Sequence, residues 1–112
     1  MENDSILGFV KDASGVNNDD TIFDSEILLH VNSAFATLRQ LGVGPTDPFI
    51  VHDSSATWSD FTTDSTIISM VQSYVVLKVR YHFDPPTSAS LATAMKETIA
   101  EYEWRLNVEA DK

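Results

Sequence analysis

Three histidines, His30, His52 and His82, are the side chains in this sequence best suited to acid–base chemistry near neutral pH. They stand far apart in the chain, and His30 has no second histidine three or four residues away, so the spacing of a helical metal site is missing. Each could meet a serine and an aspartate in the folded chain, but the sequence is so rich in both that such a triad carries no information. We expect His30 to face solvent.

Local motifs for catalysis or nucleotide binding are absent from the sequence. Its four glycines form no phosphate-binding loop, and neither GxSxG, HExxH nor CxxC occurs. Because the chain has no cysteine, it has no disulfide, no thiolate nucleophile and no zinc site of the usual cysteine-containing kinds. We therefore predict that the protein is not an enzyme and that it binds no cofactor and no metal.

A group of oxygen-bearing side chains near the N-terminus raises the possibility of a calcium site: Asp12, Asn17, Asn18, Asp19 and Asp20. The alternating ligands, central glycine and closing glutamate of an EF-hand are missing from it. Turn-forming residues followed by acids at a helix N-terminus explain the same composition. We favour a turn.

The net charge of −10, from 17 acidic against 7 basic residues, argues against tight binding to nucleic acid. The only basic cluster is Lys78, Arg80 and His82 beside Tyr81, and on a helix these side chains would point in different directions. An acidic surface has two other uses near DNA. It can line a channel through which DNA slides without sticking, or it can imitate DNA toward a basic partner.

Composition predicts a globular domain, since 43% of the residues are hydrophobic and 21% are charged. The apolar zone at residues 67–79 is too short and too interrupted by polar side chains to span a bilayer. The first residues, MENDS, are acidic where a signal peptide needs positive charge. We expect a soluble protein that stays in the cytoplasm where it is made, with no membrane contact.

Residues 64–83 form the most apolar stretch, and we predict a central helix there. Read as a helix, the stretch has one narrow polar stripe: Ser65, Ser69, Gln72, Ser73 and Arg80. Residues 77–83 also alternate strictly between apolar and polar types, which is typical of a strand. We favour a helix because the apolar pattern begins a dozen residues earlier and Asp84-Pro85-Pro86 supplies a stop.

Three more helices are predicted, at residues 5–13, 21–41 and 88–108. Asp4 or Ser5 can cap the first of these helices, and Asp20 or Thr21 opens the second. Gly42 suits the left-handed backbone conformation that commonly ends a helix, here the second. The last helix has an apolar seam: Leu91, Met95, Ile99 (or Thr98), Tyr102 and Leu106. Off this seam, the last helix carries a tryptophan, Trp104, which either covers the first helix or is an exposed contact.

The connection at residues 42–63 is long for a compact domain. It is rich in large apolar side chains: Phe49, Ile50, Val51, Trp58 and Phe61. A hairpin turning at Ser54-Ser55 would place Val51 near Thr57. Either the aromatics fold back over the core, or the loop reaches a neighbouring subunit with Trp58 and Phe61 as anchors.

These elements together predict a mostly α fold, a small antiparallel bundle of about four helices that forms one domain over residues 1–112. A long loop or a short β-hairpin separates its second and third helices.

Three features occur in the same order and spacing as in a known family. They are the helix ending LGVG at residues 41–44, the W-x-D-F at residues 58–61, and the helix ending DPP at residues 84–86 before an amphipathic closing helix. With FDSEILLHVNSAFATLRQLGVGP and SYVVLKVRYHFDPPTSASLATAMKETIAEYEWRL around them, the chain resembles the small head–tail connector proteins of tailed bacteriophages and prophages. These are also called adaptor or head-completion proteins, and the resemblance covers about nine-tenths of the chain.

The resemblance implies a virion assembly protein with no catalytic residues. Copies would form a ring, expected to be a dodecamer, beneath the portal protein, extending the DNA channel and offering a docking surface to the next connector or the tail-terminator protein. DNA would pass through without specific binding. The protein would occupy the head–tail junction after assembly from the host cytoplasm.

Candidate contact residues for such a ring, with neighbouring copies or other partners, are Phe49, Trp58, Phe61 and Trp104. Candidate channel-facing acids are Asp47, Asp53 and Asp60. The alternative function is that of an acidic regulator or DNA mimic that binds a basic host protein.

Overall fold

Five helices follow one another along residues 5–111, the part of the chain that the computed structural model describes. They are α1 (Ile6–Ala13), α2 (Asp24–Gln40), α3 (Trp58–Phe61), α4 (Ser65–Phe83) and α5 (Ala89–Ala110). Helix α4 packs against α1, α2 and α5, so the predicted central helix is confirmed. The strand alternative for residues 77–83 is wrong, because α4 continues to Phe83 and stops at the two prolines.

The core lies where α1, α2 and α4 face one another, and the loop before α3 closes it. Its fully buried members are mostly β-branched or aromatic, as the apolar spacing of the helices predicts. They include Ile6, Val10, Ile27, Val31, Phe35, Leu38, Val51, Val71, Tyr74, Val75 and Val79. The mostly α bundle is therefore confirmed.

Helix ends follow local chemistry at α1 and α4. The Ser5 hydroxyl accepts a hydrogen bond from the Gly8 amide at 3.1 Å, and the Asp64 carboxylate accepts one from the Thr66 amide at 2.9 Å. Ser5 is thus one of the two predicted caps of α1, while Asp4 lies outside the described residues.

The expected start of α2 at Asp20 or Thr21 is wrong, because the helix begins at Asp24 after a turn closed by Asp20. The Asp20 carboxylate accepts a hydrogen bond from the Ile22 amide at 3.1 Å, which holds this segment in a turn. The end of α2 is as predicted. Gly42 has φ +86°, and the amide of the buried Val43 donates to the Leu38 carbonyl at 2.9 Å.

A hairpin at residues 49–61 is not found among the described residues. The Asn32 side chain takes the place of the expected strand partner of Val51. The Val51 amide donates to Asn32 Oδ1 at 2.7 Å, and Asn32 Nδ2 donates to the Val51 carbonyl at 3.0 Å. Thr57 instead forms an isolated bridge with Ser5 and caps α3. The loop therefore takes its backbone partners from α1 and α2, which lie next to it in space but not in sequence.

The predicted seam of α5 is only partly buried. Ile99 and Leu106 are buried, whereas Leu91 is 60% exposed, which corrects the prediction for that residue. The first turns of α5 lie at the end of α4, where Pro85 and Pro86 lead the chain away and leave one side open. Within residues 5–111, none of the helices combines the length and apolar character needed to cross a bilayer.

Candidate functional surfaces

The loop aromatics Trp58 and Phe61 lie inside the protein. They are 3% and 5% exposed, and both pack against Phe35, with ring centroids at 6.2 Å and 4.8 Å respectively. Trp58 also contacts Phe9 edge-on at 5.4 Å. Of the two interpretations of the loop, covering the core is confirmed for these residues. They leave almost no surface for the subunit contact that was the other interpretation.

A capping box places these two rings. The Thr57 hydroxyl accepts a hydrogen bond from the Asp60 amide, and the Asp60 carboxylate accepts one from the Thr57 amide at 2.9 Å. The resulting single turn, α3, points Trp58 and Phe61 to the same side. Sequence reasoning missed this helix, although a threonine three residues before an acid was a signal for it.

Gly44 determines how closely the loop passes over Phe61. It has φ +89°, and a Cβ built there would come within 2.3 Å of the Phe61 ring. Only glycine allows both this backbone conformation and this approach. The LGVG motif is therefore a packing feature in this fold.

The other two candidate contact residues retain surface. Phe49 is half-buried against Phe35 and Phe61, at 5.0 Å and 5.2 Å between ring centroids. Trp104 is 67% exposed on α5, next to Val108 at 39%. Of the two placements predicted for Trp104, exposure is confirmed, and covering the first helix is not.

The three candidate channel acids, Asp47, Asp53 and Asp60, are exposed on the loop. Hydrogen bonds from the hydroxyl and amide of Ser55 lower the pKa of Asp53, so it stays ionised at neutral pH. Asp60 also has the capping role described above. This loop thus presents three exposed carboxylates.

The oxygen-rich turn that suggested calcium is built around a buried lysine. Lys11 is 2% exposed, and its Nζ donates to Asp24 Oδ1 at 2.7 Å and to the carbonyls of Asp20 at 2.8 Å and Asn18 at 3.2 Å. In residues 5–111, no three His, Asp or Glu side chains are grouped so that they could hold a metal ion. The ammonium group organises the carbonyls here, a role that no sequence pattern indicated.

A buried hydroxyl joins α4 to α5. Tyr74 is fully buried, and its hydroxyl donates to Glu103 Oε2 at 2.7 Å. Burial, and then the hydrogen bond to the Glu103 carboxylate, raise the pKa of Tyr74 far above its usual value. The hydroxyl therefore stays protonated as a donor. Lys78 approaches the same carboxylate at 3.9 Å.

His30 and His82 stack, with ring centroids 5.4 Å apart and an angle of 17° between the planes. His30 is half-buried and therefore faces solvent only in part, because α2 and α4 bring its ring against that of His82, which is far away in sequence. Burial, followed by the charges of His30 and Lys78, lowers the pKa of His82. His52 lies elsewhere, exposed on the loop.

A groove with a volume of about 480 Å³ lies between the end of α4 and the start of α5. Leu77, Leu91 and Met95 form its apolar walls, and Arg80 and Asp84 also line it. Arg80 belongs to the basic cluster noted in the sequence. The arrangement combines an apolar surface with a guanidinium group and suits recognition of an apolar, acidic segment.

Comparison with protein families gives a match between residues 6–112 and the family described as phage connector protein. Neither a curated protein nor a solved structure matches the chain.

Proposed function

Because this chain belongs to the phage connector protein family, we propose that it forms a ring between the portal protein and the tail. The family resemblance drawn from LGVG, W-x-D-F and DPP is confirmed. Membership makes the chain a structural phage protein. The ring, its position and its partners go further than the family name and are the content of the proposal.

The ring would join two different partners. One side would bind the portal protein after DNA packaging, and the other would bind the next connector or the tail-terminator protein. With copies arranged as a dodecamer, the ring would extend the DNA channel and complete the head for tail attachment. The protein would gather from the host cytoplasm and then remain at the head–tail junction of the virion.

Charge supports the channel role. A net charge of −10 on each 112-residue copy would be multiplied around a ring, and DNA phosphates would be repelled from its wall. The exposed carboxylates of Asp47, Asp53 and Asp60 are the side chains that we assign to this wall. DNA would then slide through without being held.

Exposed apolar side chains support the subunit contacts. Trp104 is 67% exposed, and tryptophan is among the residues that most often dominate protein interfaces. Phe49, in the loop, is half-buried and keeps part of its surface exposed. The role that remains for Trp58 and Phe61 is to hold the loop in shape from within the core.

Deleting the gene from its parent phage or prophage tests the proposal. After induction, negative-stain electron microscopy of the lysate should show heads that fail to join tails, with free tails beside them. Expression of the wild-type gene from a plasmid should restore joined particles, which controls for effects on neighbouring genes.

Intact, infectious particles without the gene would contradict the proposal. The acidic regulator would then be the better explanation, and it would be sought as a stoichiometric complex with a basic host protein that high salt dissolves.

A further inference from the structure

Helix α5 is the least buried long helix of the bundle. Of its 22 residues, only Ile99 and Leu106 are buried among the described residues. Two apolar surfaces on α5 have no partner among the described residues. One is the groove against α4 described above. The other is the exposed pair Trp104 and Val108, which we call the ridge.

The groove is open at Leu91, which is 60% exposed, and Leu77 and Met95 are partly buried behind it. The groove also carries one positive charge. Arg80 lines it and forms no ion pair within residues 5–111. Asp84 is the one acid that lines it.

The ridge has complementary chemistry. Trp104 and Val108 are one helical turn apart and form a continuous apolar surface. Glu97, Glu101 and Asp111 lie within about 60° of Trp104 around the helix axis. Glu101 is paired with Arg105 at 2.7 Å, so Glu97 and Asp111 supply the net negative charge.

We infer that the ridge of one copy docks in the α4–α5 groove of a neighbouring copy. This assignment rests on the proposed function, because it names the contact that would repeat around the ring. Trp104 would fill the apolar groove between Leu77 and Leu91, and Arg80 would face the carboxylates beside the ridge. An apolar helix face laid into a groove is a common mode of helix recognition.

The two surfaces cannot meet within one copy. Leu91 and Trp104 are 13 positions apart on one helix, which places them about 20 Å apart along the axis and about 140° apart around it. Each copy can therefore use its ridge and its groove at the same time. Such a head-to-tail contact repeats from copy to copy and closes into a ring when the rotation allows it.

The size of the contact predicts its strength. The exposed parts of Trp104 and Val108 offer on the order of 200–300 Å² of apolar surface, whereas a stable interface buries about 800 Å² per partner. One contact alone is weak. Oligomers should therefore accumulate only at high protein concentration or where a ring closes on another protein, and cross-linking is the appropriate way to trap them.

The absence of cysteine makes the test specific. Ala94 is exposed in the groove and Asn107 is exposed beside the ridge, so thiols placed there leave Leu91 and Trp104 in position. The double variant Ala94→Cys, Asn107→Cys is treated with a short bismaleimide, once as purified protein at high concentration and once in phage particles. We expect a ladder of covalent multimers from the double variant and none from either single variant. A mixture of the two single variants should stop at dimers, which distinguishes head-to-tail from symmetric pairing.

A matched control is Leu29→Cys with Asn107→Cys, because Leu29 is 66% exposed on α2 and does not line the groove. It should give no ladder. Adding Arg80→Glu to the test pair should lower the cross-link yield several-fold, with a larger effect at low salt.

Particles that contain the protein but yield no cross-link between the two introduced thiols would overturn the contact and leave the proposed function intact. A ladder in the control pair would overturn it as well. A ladder from the purified chain together with particles that lack the protein would support the contact and contradict the proposed function.

Discussion

Replacing Trp58 by alanine should destabilise the folded chain itself. The side chain is 3% exposed and packs on Phe9 and Phe35, so its removal leaves a cavity that the rigid helices can only partly fill. Losses for buried tryptophan are about 3–5 kcal/mol. A domain of this length has a total stability of roughly 6–17 kcal/mol, so the variant would lose a large part of it.

The expected change is a fall in Tm of about 12–20 °C, taking about 4 °C per kcal/mol. Far-UV circular dichroism during thermal and urea unfolding measures it. Trp58→Phe should cost less, about 1–2 kcal/mol, because it keeps a ring and removes an indole N–H with no acceptor among residues 5–111.

Trp104→Ala is the matched control, because Trp104 is the second of two tryptophans and is 67% exposed. Its Tm should stay within about 2 °C of wild type, since surface substitutions rarely exceed about 0.5 kcal/mol. This variant also leaves Trp58 as the single tryptophan, which can be excited selectively over the tyrosines. Its emission should be blue-shifted in the folded state and move to longer wavelength in urea.

An unchanged Tm for Trp58→Ala would refute the reasoning. If such a stable variant also failed to assemble, Trp58 would be an anchor to a neighbouring subunit, and the core packing described above would be wrong.

Three other features can be probed by substitution. Gly44→Ala should cost about 2–4 kcal/mol in urea unfolding, because it adds a clash with the Phe61 ring to the strain of φ +89°. Gly15→Ala, at φ +78° with nothing within 4 Å, should cost only about 1–2 kcal/mol. Asp24→Asn should cost about 2–3 kcal/mol, because it leaves a buried ammonium without its carboxylate, although the 26% exposure of Asp24 moderates the loss. Lowering the pH below about 6.5 should destabilise the wild type. The pKa of His82 is lower in the folded chain than in the unfolded chain, so the unfolded chain binds the proton more readily. In His82→Gln this part of the acid dependence should disappear.

Equal losses for the two glycine variants would mean that the loop does not pass close to the ring. For the ion pair, Glu26→Gln on the exposed side of α2 is the control, and a loss as large as that of Asp24→Asn would show that net charge is responsible. An acid dependence that is identical in His82→Gln and wild type would remove the histidine stack as its cause.

The sequence by itself determined the helical class, the central helix, the caps at Ser5 and Gly42 and the family. These features depend on local spacing, on the chemistry of a few neighbouring residues and on text motifs such as LGVG, so they can be recognised without knowing which helices meet. The acidic charge is likewise a property of composition. The start of α2 was the exception, because Asp20 holds a turn before it through the Ile22 amide, and Lys11 from α1 binds the carbonyls of the same turn.

Only the tertiary structure decided which side chains are buried, paired or left free. The loop aromatics enter the core because Asn32 and Ser5 supply backbone partners from α2 and from the start of α1. The two histidines stack because α2 and α4 lie side by side, and Leu91 is exposed because α4 ends beneath it. Each of these outcomes depends on contacts between residues distant in sequence, and periodicity along one segment contains no information about what will lie against it.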